Sequence, residues 1–299
     1  MKNYLAYFVT LIGASFWGLT GLFVDGLYNE GFTAWEIVAI RLTVSTIILM
    51  PLIAILAPRK LRIQWKHIPH FVGLGVCSIV FFNWCYFTVM KQTSLSIAVV
   101  LLYTAPVFVT VLSKYFFQEA ITSRKITSLA LTIFGCSLAI QLIPIGNMQI
   151  PFISIVLGLL SAFFCGLYSI IGKQVSRHYN FLTTTIYALC MGSIFILPTS
   201  KLWEKTEAFQ SAEVWLNIGG IVIISTIGAY TLYTFGLTRI ESSKAAILGA
   251  MEPIIAVLIG VIIFNDNLQF LQVIGIILVI SAAFLTVYHK QRKVTKTEQ

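Results

Sequence analysis

The sequence predicts an all-α polytopic membrane protein with ten transmembrane helices, arranged as two inverted five-helix repeats. Three observations lead to this prediction. Hydrophobic residues make up 58% of the 299 residues and charged residues only 10%, and the mean hydropathy is +0.90. The apolar residues come in blocks of about 20, the length that an α-helix needs to cross a bilayer. The second half of the chain also repeats the first.

The composition excludes a soluble domain, because soluble chains carry about 25% charged residues. The formal net charge is +9, but the basic residues lie in short loops between the apolar blocks. That distribution is typical of membrane proteins, so no nucleic-acid partner is expected. The five cysteines all lie within apolar blocks and none forms a CxxC pair, which favours small packing residues over a zinc site or a disulfide framework.

The apolar blocks define ten predicted spans with short connections. The first block, residues 5–24, follows a single Lys2 and lacks a small-residue cleavage site, so we interpret it as a retained span and not as a signal peptide. The longest connection, 200–213, is too short for a catalytic or ligand-sensing domain, so function is expected within the membrane. The predicted spans are 4–24, 35–57, 69–90, 94–116, 124–143, 151–172, 181–198, 215–238, 242–264 and 268–288.

A shift of 147 residues places the second half of the sequence on the first without a gap over its most informative stretch. Near the start of each half the shift is 148, which matches Leu11, Ala14, Phe16 and Gly18 with Leu159, Ala162, Phe164 and Gly166. Because each half holds an odd number of spans, the second copy crosses the membrane in the opposite direction. Inverted repeats of this kind are typical of secondary transporters. We predict a first repeat over 4–144, a second over 151–288 and a basic cytoplasmic tail over 289–299. The matched pairs include Tyr86/Tyr233, Ala98/Ala245, Leu101/Leu248, Pro106/Pro253, Phe117/Phe264, Glu119/Asp266 and Leu131/Leu278.

The basic residues predict the orientation of the chain. Sixteen of the 20 Lys and Arg residues lie on one side of this topology, three lie on the other, and Arg41 lies within a span. The positive-inside rule puts the richer side, with both chain termini, in the cytoplasm. We therefore expect a multi-pass protein of the cell membrane, with the lipid bilayer as its surroundings.

Glu252 is the clearest charged residue deep in a span, about midway along the ninth. A carboxylate in hydrocarbon costs about 2.5–3.5 kcal/mol on insertion scales, so it must face protein or water or be protonated. Small residues share its helical face and let neighbouring backbones approach, which predicts that Glu252 points into the bundle. These residues are Ala245, Gly249, Ala256 and Gly260.

Glu252 is a candidate for proton coupling or substrate contact. Burial favours the neutral form of a carboxyl group, so this residue could take up and release protons as access alternates. The first repeat has Ala105 at the matched position, so the fold is duplicated but this chemistry is not. The alternative is that Glu252 is a buried, hydrogen-bonded structural group.

Pro253 follows Glu252, and Pro106 occupies the matched position in the fourth span. A proline cannot donate to the carbonyl group four residues earlier, so we predict helix breaks with freed acceptors at Leu102 and Gly249. Interrupted helices at matched positions indicate the binding site of a transporter. The alternative is that both prolines are structural kinks.

Arg41 lies a few residues inside the outer end of the second span. Its guanidinium group keeps its charge under all ordinary conditions. Two interpretations stay open at this point. Arg41 anchors a substrate carboxylate or pairs with Glu252, or it extends to the membrane surface or pairs there with Glu36.

Aromatic and polar residues within the spans form a further set of candidates. Their rings could stack on a substrate and their polar groups could fix its orientation, although each alone is more often a packing or hydrogen-bonding residue. The set consists of Trp17, Asn83, Trp84, Tyr86, Tyr103, Tyr168, Tyr230 and Tyr233.

No constellation typical of an enzyme occurs in the sequence. The four histidines lie in loops or at span ends, so neither a buried metal site nor histidine-based catalysis is expected. Residues 166–173 read GLYSIIGK, but five residues separate the glycines where a phosphate loop has four, and Gln174 replaces its Ser or Thr. We therefore expect no catalytic residue, no metal and no cofactor, and we reject an ATP-driven pump.

Several local features occur in a fixed order, and one pair of them, Glu119 and Asp266, is separated by the repeat spacing. They are Trp17-Gly18 in the first span, Arg41 in the second, Glu252-Pro253 in the ninth, Glu119 and Asp266 after the fourth and ninth, and Gly135 and Gly275 in the spans that follow. With its two five-span halves, the chain resembles the EamA-type family of the drug/metabolite transporter superfamily over nearly its whole length. There are two departures: Cys165 stands where the first repeat has Trp17, and Asn265-Asp266-Asn267 replaces the Gly-Glu often seen after the ninth span.

The resemblance implies a carrier that works by alternating access, commonly an exporter of amino acids, their derivatives, nucleosides or other small metabolites. The two halves would surround a central cavity lined from spans 1, 2, 3, 4, 8 and 9. A multidrug-type efflux carrier for hydrophobic cations and a metabolite importer are alternatives with the same fold, and Arg41 in the cavity would argue against cations. An alternative of another class is a non-transporting membrane protein that interacts with lipid or a partner, with a closed, apolar centre. Substrate, coupling ion and oligomeric state stay open.

Overall fold

The computed structural model describes residues 2–93, 95–140, 150–263 and 269–287. Within these ranges every regular element is a helix, which confirms the predicted all-α class. We number the helical segments α1 to α10 in chain order. They are α1 (Lys2–Gly18 and Thr20–Asn29), α2 (Ala34–Leu56), α3 (Ile68–Val72, Gly73–Phe81 and Phe82–Gln92), α4 (Leu95–Leu102 and Ala105–Phe117), α5 (Ser123–Ala139), α6 (Phe152–Val175), α7 (Phe181–Ser200), α8 (Ala212–Gly219, Gly220–Gly228 and Ala229–Leu237), α9 (Ser242–Leu248 and Met251–Ile263) and α10 (Phe270–Val287).

Nine of the described segments are long and apolar enough to cross a membrane. The remaining one, α5, has 17 residues, which at a rise of about 1.5 Å per residue is a little shorter than the hydrocarbon core of a bilayer. The predicted fifth span continued to residue 143, and its last residues lie outside the described ranges. The number of ten transmembrane helices therefore stays a prediction.

Equivalent helices of the two repeats exchange contacts across the bundle. In the first repeat, Gly18 of α1 packs on α9, where an added Cβ atom would lie 2.6 Å from the carbonyl oxygen of Glu252. In the second repeat, Gly166 of α6 packs on α4, where an added Cβ would lie 3.6 Å from the carbonyl oxygen of Ala105. Glu252 and Ala105 are 147 residues apart, so the sequence repeat is also a repeat of packing. The protein has the two-repeat helical membrane fold that the sequence predicts.

The repeats also meet where α5 crosses α10. A Cβ atom added to Gly275 would lie 2.5 Å from the carbonyl oxygen of Gly135, and it would collide with the backbone nitrogen of Ala139. Only residues without a side chain let two helix backbones approach so closely. This contact explains why both spans carry a glycine here.

Candidate functional site

A cavity of about 740 Å³ lies between the two repeats. It extends from the middle of the bundle to one end, where Ile140, Val261 and Gln269 are among its lining residues. The structure brings eleven of the twelve candidate residues of the sequence to its wall, among them Tyr168, and leaves out Trp84. The other ten are Trp17, Arg41, Asn83, Tyr86, Tyr103, Pro106, Tyr230, Tyr233, Glu252 and Pro253.

The cavity wall includes helices that the sequence did not predict. The expected set was spans 1, 2, 3, 4, 8 and 9, but α6 contributes Cys165, Gly166 and Ser169, and the ends of α5 and α10 contribute Ala139 and Gln272. The repeat held a signal for α6, because Cys165 and Gly166 are the counterparts of the cavity-lining pair Trp17-Gly18. The sequence holds no comparable signal for α5 and α10.

Both helices that carry a candidate proline are interrupted at the cavity. In α4 the break falls at 103–104, just before Pro106, and in α9 it falls at 249–250, just before Pro253. The hydrogen bonds there change from four-residue to three-residue spacing: Glu252 N donates to Gly249 O at 3.1 Å. The carbonyl of Gly249 is therefore not free, and the predicted open acceptor at this position is wrong.

Glu252 is half-buried and lines the cavity beside the break in α9. Its carboxylate interacts electrostatically with Tyr103 of α4 and with Arg41 of α2. Tyr103 is 6% exposed, and its buried hydroxyl has no hydrogen-bond partner of good geometry among the described residues. A buried hydroxyl in this state is available to a ligand or to the carboxylate.

The repeats contribute unequal polar groups at their interrupted helices. Tyr103 corresponds to Ala250 in the second repeat, and Glu252 corresponds to Ala105 in the first. Each repeat thus supplies one polar side chain and one alanine. The centre of the cavity is chemically asymmetric although the backbone around it is symmetric.

Arg41 is 4% exposed and points into the bundle. Its Nε donates to Thr226 Oγ1 at 3.1 Å and its Nη2 to the carbonyl oxygen of Ser225 at 3.3 Å, both on α8. Glu36 does not hold it at the surface, because that carboxylate accepts hydrogen bonds from Thr33 N at 2.6 Å and Thr33 Oγ1 at 2.9 Å in a capping box. The alternatives in which Arg41 reaches outward or pairs with Glu36 are therefore wrong.

An aromatic wall faces this pair of charges. The ring of Trp17 packs edge-on against Tyr230 with centroids 5.3 Å apart, and it lies 4.9 Å from the ring of Tyr233. The hydroxyl of Tyr233 is within 2.7 Å of Ser169 Oγ and that of Tyr168 within 2.7 Å of Thr234 Oγ1. These two tyrosines fasten α6 to α8 with their hydroxyl groups and offer ring faces to the cavity.

Trp84 does not belong to the site, which corrects its prediction as a candidate. Its side chain is 49% exposed, and it lines a second hollow of about 550 Å³ with Tyr28 and Trp35. Successive residues of a helix point about 100° apart, so its neighbour Asn83 faces the cavity and Trp84 does not. The amide nitrogen of Asn83 donates to its own helix, at Ile79 O, at 2.6 Å.

Three of the histidines come together away from the cavity, at the start of α3 and the end of α6. The rings of His67 and His178 stack with centroids 5.0 Å apart, and His70 packs edge-on at 6.0 Å. Within the described ranges no group of three His, Cys, Asp or Glu residues has the geometry to hold a metal ion.

The comparison with known protein families gives a match in each half of the chain. The EamA-like transporter family matches residues 4–141 and 152–288, one match for each half. The chain belongs to this family. It is therefore a membrane transporter with several spanning helices.

Relatives of this EamA-like transporter cover it almost completely. An uncharacterized transporter from Archaeoglobus fulgidus is 27% identical over 292 residues, covering 96% of this chain and 99% of its own length. The uncharacterized transporter YwfM from Bacillus subtilis is 27% identical over 295 residues, covering 95% and 96%. A crystal structure superimposes with a TM-score of 0.79 over 94% of this chain and 95% of the other, and at 15% identity this likeness concerns the fold alone.

Proposed function

We propose that this EamA-like transporter is a secondary exporter of small metabolites, amino acids or related compounds, that works by alternating access between its two repeats. The observation that carries the proposal is the cavity of about 740 Å³ between the repeats, in which Glu252, at an interrupted helix, is the one carboxylate among the lining residues that the structure describes. Export is proposed because the family that the sequence resembles consists largely of exporters.

The polar groups of the cavity favour a substrate that carries both charges. Arg41 can bind a carboxylate with the donor groups that Thr226 and Ser225 leave free, and Glu252 can bind an ammonium group. The rings of Trp17 and Tyr230 can pack on an apolar or cationic part of the same molecule. Arg41 at the wall disfavours hydrophobic cations and so weighs against a multidrug-type efflux carrier.

Proton coupling is proposed for Glu252. The carboxylate has a cationic neighbour in Arg41 and a neutral donor in Tyr103, so binding of a charged substrate beside it changes the balance between its two protonation states. An exporter driven by the proton gradient needs such a group, reachable from each side in turn.

Untargeted metabolite profiling of the growth medium tests the function. Cells that express the protein are compared with matched cells that lack it. A compound enriched in the medium only in the presence of the protein identifies the substrate and establishes export. Depletion of a compound from the medium would contradict export and indicate import, and the absence of any difference in medium and cells would contradict transport of metabolites.

Water access to the cavity gives a second, independent prediction. In a cysteine-free background, a cysteine at Ala256, an exposed lining residue, is expected to react with a membrane-impermeant thiol reagent added outside. A cysteine at Leu258, 37% exposed but outside the lining, should stay unreactive because it faces lipid. A non-transporting protein with a dry, closed centre would leave both positions unreactive.

Arg41→Lys is expected to raise the KM for the identified substrate about tenfold with little change in maximal rate. Lysine keeps the charge but cannot hold both Thr226 and the backbone of Ser225 while it presents a fork to a carboxylate. One charge-assisted hydrogen bond contributes about 1.5 kcal/mol, which corresponds to roughly this factor. Concentration-dependent transport at matched membrane levels measures it, and an unchanged KM would contradict substrate contact by Arg41.

A further inference from the structure

A second group of charges lies outside the cavity, around Glu119 in the connection from α4 to α5. Glu119 is 9% exposed. Its Oε1 is 3.0 Å from Lys173 Nζ and accepts the backbone N–H of Ser242 at 2.9 Å, while its Oε2 accepts the hydroxyl of Ser243 at 2.6 Å. These three partners come from the end of α6 and the start of α9, so the second repeat supplies the shortest contacts to a carboxylate of the first.

Further ion pairs extend this group. Lys125 of α5 lies 3.5 Å from Glu119 and 2.7 Å from Glu241, and Lys244 lies 3.0 Å from Glu241. Lys173 also donates to Ile240 O at 3.0 Å. We call these residues, with Ser242 and Ser243, the Glu119 cluster. It joins three connections from both repeats at the same end of the bundle.

The carboxylate of Glu119 stays ionised at neutral and mildly acidic pH. Burial alone would raise the pKa of Glu119, but the hydroxyl of Ser243 and the ammonium group of Lys173 outweigh it and lower the pKa to about 2. Because this lies below the 4.5 of an unperturbed Glu, the cluster stabilises the folded protein above that pH and is lost only as the pH falls towards about 2. Glu119 is therefore a fixed charge, whereas Glu252 is the candidate for protonation.

The Glu119 cluster lies directly behind the floor of the cavity. Ser242, whose N–H binds Glu119, donates its hydroxyl to the carbonyl oxygen of Ser169 at 3.3 Å. Ser169 lines the cavity and meets the hydroxyl of Tyr233, which lines it too. The cavity reaches the opposite end of the bundle, at Ile140 and Gln269. On the predicted topology, the Glu119 cluster lies at the cytoplasmic end of the bundle. The end of the cavity at Ile140 and Gln269 lies on the outer side of the membrane.

The sequence positions that the repeat relates to Lys125 and Lys173 do not hold cations. The shift of 147 residues turns Glu119 into Asp266 and Lys125 into Gln272, and the shift of 148 that aligns α1 with α6 turns Lys173 into Asp25. Gln272 donates instead to the carbonyl oxygen of Ala139 at 3.2 Å. The sequence therefore keeps an acidic residue at both related positions, but it has lysines only at the positions that meet Glu119.

We propose that the Glu119 cluster is the gate that closes the cytoplasmic end of the cavity, and that Lys125 and Lys173, whose repeat-related positions hold Gln272 and Asp25, make this closed end the resting state. The inference rests on the proposed alternating-access function. For the cytoplasmic end to open, α6 and α9 of the second repeat must part from Glu119. Lys173 and Lys125 act by positioning these helices and do not contact substrate.

Side-specific labelling of the cysteine at Ala256 tests the gate without a known substrate. Right-side-out and inverted vesicles expose the outer and cytoplasmic ends to the impermeant reagent. With Lys173 intact, labelling is expected from outside. With Lys173→Met, the rate of labelling from the cytoplasmic side should rise at least about tenfold, because removing one member of a buried ion pair strongly destabilises the arrangement that holds it.

Lys114→Met is the matched control, since Lys114 is exposed at the end of α4 and loses the same charge; it should leave labelling unchanged. Lys173→Gln keeps a donor for Glu119 and should give a smaller rise. Retained labelling from outside shows that each variant is folded. If the cysteine at position 256 is labelled only from outside in both Lys173→Met and Lys173→Gln, the proposal that the Glu119 cluster is the gate is wrong. If Ala256→Cys with Lys173 intact labels from neither side, the proposed function itself fails.

Discussion

Replacing Glu252 with Gln is expected to abolish the accumulation of substrate in the medium and its dependence on the proton gradient. Glutamine keeps the size and the hydrogen-bonding capacity of the side chain, but it cannot lose a proton or attract an ammonium group. Among the lining residues that the structure describes, no carboxylate then remains near Arg41. The measurement is export of the identified compound from cells or inverted vesicles, with and without an imposed pH gradient, at matched membrane levels.

Glu204→Gln is the control for this prediction. Glu204 lies in the connection between α7 and α8, and its side chain is 60% exposed beside Lys201 at 3.6 Å. An exposed pair of this kind contributes little, so the control should transport like the unmodified protein. Glu252→Gln that transports as well as the control at every pH would remove Glu252 from the mechanism and leave it a structural group.

Replacing Gly275 with Ala is expected to destabilise the protein by about 1–3 kcal/mol, the usual cost of inserting a group into a packed site. The added Cβ would lie 2.5 Å from the carbonyl oxygen of Gly135, and a backbone atom in a helix cannot move aside without shifting the whole helix. The apparent melting temperature of the purified protein in detergent should fall accordingly.

Gly219→Ala provides the same chemical change in a helix with open space. Nothing lies within 4 Å of a Cβ built on Gly219, so only the better helix propensity of alanine acts there, which stabilises by up to about 1 kcal/mol. Equal melting temperatures for the two variants would show that α5 and α10 are not held by the glycine crossing.

The sequence predicted those site residues that are energetically unfavourable in a hydrophobic transmembrane helix. Glu252 stood out because a charge in a hydrophobic span must face protein or water, and Pro106 and Pro253 because a proline removes a helical hydrogen bond. The position of Arg41 was not predictable, since the same sequence suits an outward-reaching and an inward-pointing arginine. Its hydrogen bonds to Thr226 and Ser225 on α8 decide the matter.

By itself, the sequence determined the class of the protein, the approximate course of its spans and the duplication, because hydrophobicity and length are properties of each segment alone. Tertiary structure decided which face of each span meets the cavity: Trp84 turns away while α6 supplies Cys165 and Ser169. Lipid and protein interior are equally apolar, so an almost wholly hydrophobic helix carries little information about its inner face. The Glu119 cluster likewise required the structure, because its members lie up to 125 residues apart in the sequence, from Glu119 to Lys244. Only the packing of one repeat against the other brings them together.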